Sequence, residues 1–196
     1  MKTIKQSLLA LTTGLLLSTH VSAAEPDWKP YADLLSSTVK QGTKQGVPLA
    51  KVDYAALKKS GKLEAVYQQL SAFPLSKLQG KQEKLAFYIN TYNILALKMV
   101  VDHFPLKSIK DVGSLISPVW GKEAGNIGGK TVSLDDIENK IIRPMGEPRI
   151  HFAIVCASVS CPDLYNKRIY FKSQGKDKIS KIDLTTYHKR TNIYIL

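Results

Sequence analysis

Along residues 82–104 the apolar side chains fall at a spacing that a helix can use and a strand cannot. At about 100° per residue, Leu85, Tyr88, Ile89, Tyr92, Leu95, Ala96, Met99 and Val100 share one face, and Pro105 ends the run. The pattern predicts a long central helix with the rest of the chain packed against it. Asn90 and Asn93 lie three apart on an edge of that face, where burial obliges both to find hydrogen-bond partners. His103 sits near the centre of the stripe at its end and reads as a satisfied helix-terminal histidine.

Shorter elements flank this segment. Trp28, Tyr31, Leu34, Leu35 and Val39 recur at helical spacing, and a turn region follows at 42–48. Residues 51–54 read as an extended entry, with Asp53 placed to cap the next turn. Leu63, Val66, Tyr67, Leu70 and Phe73 mark another helix that Pro74 stops. Residues 107–130 read as a long packed loop anchored by Leu115, Ile116, Val119 and Trp120, and loops of that length are often functional. A hairpin is predicted over 127–132, turning at Gly128-Gly129. Ser133 and Asp136 then have capping-box spacing at the start of a further helix. With a strand also expected over 149–156 and no βαβ repetition, the fold class is α+β, a mainly helical single domain with a small sheet.

The first residues carry a processing signal. Lys2 and Lys5 precede a short apolar core at 7–17, and Val21-Ser22-Ala23 supplies a small-residue cleavage site, so residues 1–23 read as a signal peptide. No stretch approaches the roughly 20 apolar residues of a spanning helix. The expectation is a periplasmic or secreted domain over 24–171, with an atypical tail at 172–196. Formal charge is +12, or +10 without the two lysines of the signal peptide. Such a balance favours anionic partners, including a membrane surface touched peripherally, an anionic small molecule or a peptide; export argues against nucleic acid.

The chemistry-bearing residues cluster late in the chain. With Leu134 at zero, helical winding of about 100° per residue places Glu138 near +40°, between Ile137, Ile141 and Ile142. A carboxylate in that stripe needs a cation, strong hydrogen bonds or a proton. Arg149 and His151 are the nearest partners on the predicted strand. Strand alternation turns Arg149, His151, Ala153 and Val155 one way and Ile150, Phe152, Ile154 and Cys156 the other. His151 therefore faces away from Cys156. Cys161, beyond the turn and just before Pro162 at a helix opening, is the thiol favoured as thiolate.

Four motifs in order resemble the domain of unknown function 547 family: Phe87-Tyr-Ile-Asn-Thr-Tyr-Asn93, Ser133-Leu-Asp-Asp-Ile-Glu138, Pro148-Arg-Ile-His-Phe152 and Cys156-Ala-Ser-Val-Ser-Cys-Pro162. The resemblance covers about 52–171. It implies relationship and little about mechanism. Members of the family usually continue past the cysteine segment into an amphipathic helix, whereas 172–196 lacks helical periodicity here. That departure points to a truncation or a shifted reading frame near Phe171, and takes functional weight from His188.

Two functional readings stand beside each other. In one, Cys161 is the nucleophile of a thiol-dependent acyl-transfer or hydrolytic enzyme, His151 its base, and Glu138 or one of the Asn90/Asn93 pair orients the imidazole, with Arg149 and the asparagines available for binding. In the other, a Cys156–Cys161 disulfide pins a small loop of a binding or scaffold module, contributing about 2 kcal/mol by chain entropy. Under that second reading Glu138, Arg149 and the asparagines form a polar network that fixes helix against strand. The Cys-x4-Cys spacing is a weak redox signal and matches no common zinc pattern, so neither a metal nor another cofactor is expected.

Overall fold

The computed structural model describes residues 26–44, 47–155, 171–173, 179–182 and 194–195. Helix α1 (Lys29–Thr38) runs directly into a hairpin of β1 (Val39–Lys44) and β2 (Val47–Val52). Helices α2 (Tyr54–Ser60) and α3 (Lys62–Ser71) follow, then the long α4 (Lys81–His103). A second hairpin, β3 (Glu123–Ile127) and β4 (Lys130–Ser133), leads to a π-helix over Asp136–Ile142 and a 3-10 turn over Pro148–Phe152. Strands β5 (Phe171–Ser173) and β6 (Ile179–Ile182) pair antiparallel, and β7 (Tyr194–Ile195) pairs in parallel with β2. The class is α+β and mainly helical, with its strands in small sheets. The segment without helical periodicity thus supplies strands.

Helix α4 is the core. Every residue from Ile89 to Leu97 is buried, polar ones included, so the helix is enclosed on all sides rather than along one stripe. It packs against α2, α3, β3 and the π-helix. At its start the Glu83 carboxylate accepts from the Gln79 and Gly80 N–H groups, at 2.9 and 3.4 Å. At its end the His103 Nδ1 donates to the Met99 carbonyl at 2.8 Å, the satisfied terminal histidine that the sequence predicts.

Local signals hold elsewhere. Asp53 accepts from the Ala56 N–H at 2.9 Å and caps α2, whose other end closes on Gly61 in the left-handed region at φ 65°. Gly128 and Gly129, at φ 59° and 79°, give the two positive dihedrals that a tight two-residue hairpin turn requires. Ser133 and Asp136 form the predicted box: Ser133 N–H and Oγ–H donate to the Asp136 carboxylate at 3.0 and 2.8 Å, and the Asp136 N–H donates to Ser133 Oγ at 3.0 Å.

Three expectations are corrected. The 42–48 turn region narrows to the tip of the β1–β2 hairpin, because Gly42 pairs with Leu49 inside the ladder. In the 107–130 loop, Val119 is buried and Trp120 half-buried, but Leu115 and Ile116 are fully exposed and anchor nothing. The strand expected over 149–156 does not form at its start, where Pro148–Phe152 make the 3-10 turn instead. Pro148 fixes φ at its first position and the Glu147 carboxylate caps it by accepting from the Arg149 N–H at 3.1 Å, which favours turning over extension.

Candidate functional site

The 3-10 turn changes which side chains face inward. Its three-residue period aligns Ile150 with Ala153, both buried, and turns His151 and Phe152 to solvent, Phe152 at 56 % exposure. The predicted two-residue alternation is lost. Ile154 and Val155, which follow, are also buried and lie in no helix or strand.

That stretch is held by the central helix. Asn93, itself buried, donates from Nδ2 to the Ala153 carbonyl and accepts at Oδ1 from the Val155 N–H, each at 2.9 Å. One carboxamide thereby satisfies a backbone acceptor and a backbone donor in a place that water does not reach. The clamp ends one residue before Cys156. Asn90, one turn earlier, is also buried and hydrogen-bonded or otherwise engaged. The sequence pointed to both asparagines as groups in need of partners, and the partner of Asn93 lies 60 residues away.

Glu138 sits at the rim of the core, with its side chain 22 % exposed, and pairs with Arg143 at 2.8 Å. This corrects the expected partnership with Arg149 or His151. Residues five apart lie about 140° from each other on an α-helix. The wider i to i+5 winding brings them one above the other, and the Arg143 N–H donates to the Glu138 carbonyl in that register. Arg143 was missed because α-helical arithmetic puts it on another face. Only the winding reveals it.

Arg149 is held by Glu147 in a two-pronged pair, Nε to Oε1 and Nη2 to Oε2, both 2.6 Å. This pairing keeps the Glu147 carboxyl below the ordinary carboxylate range. Tyr92, on α4 beside Asn93, has its phenol pushed up by burial first and then by the charges of Glu138 and Asp135. It is a neutral hydroxyl facing the π-helix. Among the described residues His151 makes no hydrogen bond and no ion pair, and Glu138 and Asn93 are both engaged elsewhere. Cys156 and Cys161 lie outside the described residues, as does residue 188. Among the described residues no group of three His, Cys, Asp or Glu side chains could hold a metal ion, and no helix is long and apolar enough to cross a membrane.

These features define a mainly helical α+β domain in which a buried asparagine on the central helix holds the backbone at Ala153 and Val155, just ahead of Cys156 in the sequence. The family model described as "Protein of unknown function, DUF547" matches residues 75–181, more than half of the chain. The protein belongs to that family. The match spans all four motifs quoted above and continues into the segment after Phe171. No curated protein and no solved structure matches the chain.

Proposed function

We propose that this is an exported, periplasmic binding module whose Cys156 and Cys161 are joined in a disulfide, rather than a cysteine-nucleophile enzyme. One observation carries the choice: Glu138 and Asn93, two of the three groups that would orient the His151 imidazole, are engaged elsewhere. Glu138 is paired with Arg143, and Asn93 is bound through both its nitrogen and its oxygen to the backbone at Ala153 and Val155. A general base that is solvent-exposed and unoriented loses the pre-organisation on which a thiol–imidazole pair depends. The Asn93 clamp fits a stapled turn, since it fixes one end of the loop that the disulfide would close.

A second reading, thiol-dependent acyl transfer by Cys161, draws support from the π-helix that carries Glu138. Such helices are rare and frequent at functional sites. One experiment separates the two. The mature protein is isolated from the periplasm, its intact mass measured with and without reductant, and its thiols titrated with iodoacetamide across pH. The module reading requires an N-terminus at Ala24, a mass that rises by two hydrogen atoms on reduction, and no alkylation before it. A free cysteine alkylating well below pH 8 would overturn it in favour of the enzyme.

A further inference from the structure

The Ile109–Val112 and Val119–Gly121 turns meet, and the four-residue loop between Gly113 and Pro118 projects from their junction. Ile109 and Val119 are buried beneath it, with Ile109 packed toward α4 and Trp120 half-buried against the core. The neck is tight. A Cβ on Gly113 would stand 2.5 Å from the Val119 nitrogen and 3.0 Å from the Ser117 carbonyl oxygen, so the two strands of the neck touch backbone to backbone. The tip is internally bonded, Ser114 N–H to the Ser117 carbonyl at 2.9 Å and Ser117 N–H to Ser114 Oγ at 3.0 Å. On this rigid support Leu115 and Ile116 stand at 104 % and 96 % exposure.

Two adjacent aliphatic side chains held fully in water on a braced turn are unfavourable for a free protein and call for an apolar partner. The shape selects among partners. The tip is convex and offers two side chains, too little for a stable protein interface of roughly 1,000 Å² or more, but suited to entering the acyl boundary of a bilayer. Its base supplies the complementary charge and an interfacial aromatic. Lys107, Lys110 and Lys122 are exposed there, and Trp120 belongs to the neck. Two exposed carboxylates lie nearby, Asp111, which accepts from the Ser108 N–H at 2.9 Å, and Glu123, and the three lysines outnumber them. Lysines near an anionic headgroup layer and a tryptophan at its depth are the usual company of an inserted apolar tip.

We propose that the Leu115-Ile116 tip docks this domain on an anionic phospholipid bilayer. Insertion places the two aliphatic side chains below the headgroups while Lys110 and Lys122 remain at phosphate level. This deepens the module reading by naming its partner, yet the tip does not involve the cysteines. The test uses the full mature protein and sucrose-loaded vesicles of equal parts phosphatidylcholine and phosphatidylglycerol, read by co-sedimentation. The wild type should bind these and bind pure phosphatidylcholine at least tenfold more weakly. The double variant Leu115→Ser/Ile116→Ser should lose roughly tenfold or more in partition, with an unchanged thermal melt because both side chains are exposed. Lys110→Gln and Lys122→Gln should each lose about fivefold, and less at high salt. Failure of the wild type to sediment with anionic vesicles, or sedimentation that the tip substitutions do not change, overturns the proposal. The thiol titration that tests the disulfide is scored separately, so the docking result stands or falls apart from it.

Discussion

Replacing Asn93 by Ala removes a side chain that joins α4 to the backbone just ahead of Cys156. Both hydrogen bonds, to the Ala153 carbonyl and from the Val155 N–H, disappear in a region where all three residues are buried. A buried donor or acceptor left without a partner costs about 1–3 kcal/mol, so two of them set the loss near 3 kcal/mol after some relaxation. That is a large part of the roughly 5–15 kcal/mol that holds a domain folded. The melting temperature should fall by about 6–12 °C at the rate usual for a chain of this size. Urea denaturation should show a lower midpoint with an unchanged slope. Asn93→Asp gives an internal control. Its neutral carboxyl can donate to the Ala153 carbonyl and accept from Val155, whereas its ionised form faces that carbonyl with a second acceptor and a buried charge. The folded pKa must then lie above the unfolded value of about 3.9. The stability supplied by the neutral form is complete below about pH 4 and is lost as pH rises through the folded pKa. Asn93→Asp should therefore resemble the wild type in acid and approach Asn93→Ala at neutral pH. An Asn93→Ala protein within about 0.5 kcal/mol of wild type, or an Asp variant whose deficit does not grow with pH, would refute the clamp.

At the start of the π-helix, Ser133→Ala should cost about 0.5–2 kcal/mol by removing the cap, measured by urea melts. The Asp136 carboxyl is held well below the ordinary carboxylate range, first by Lys140 and then by the Ser133 N–H and hydroxyl. Its contribution is present above the unfolded pKa of about 3.9 and fades as pH falls, so Asp136→Asn should flatten the acid limb of the stability curve; an unaltered limb would remove Asp136 as its source. Glu138→Gln should leave folding within about 1 kcal/mol of wild type, because the Glu138–Arg143 pair is partly solvated. A variant that fails to fold would put the carboxylate in the core stripe after all.

Much of the architecture was legible in the sequence because it is set by neighbours a few residues apart. The long helix follows from side chains repeating every three and four positions, the β3–β4 turn from two glycines that tolerate positive φ, and the caps at Asp53 and Ser133 from short polar side chains within reach of the next turn. The same locality explains the errors. Residues 149–155 alternate well enough to read as a strand, yet Pro148 and the capping Glu147 commit the first four of them to a 3-10 turn that sends His151 outward. Leu115 and Ile116 look like core by composition, and only the closure of their loop shows that they point away.

The chain by itself therefore determined the helix, the hairpin turn, the caps, and the need for Asn90, Asn93 and Glu138 to find partners. Tertiary structure decided the partners of Asn93 and Glu138. Asn93 meets backbone 60 and 62 residues away, a pairing that no local period encodes. Glu138 meets Arg143 because the helix winds in the i to i+5 register as it packs on α4. Sequence patterns report the energy of short-range geometry. The choice of a distant partner belongs to the packing of the whole core, where a buried polar group takes whichever complement the surrounding elements bring within about 3 Å.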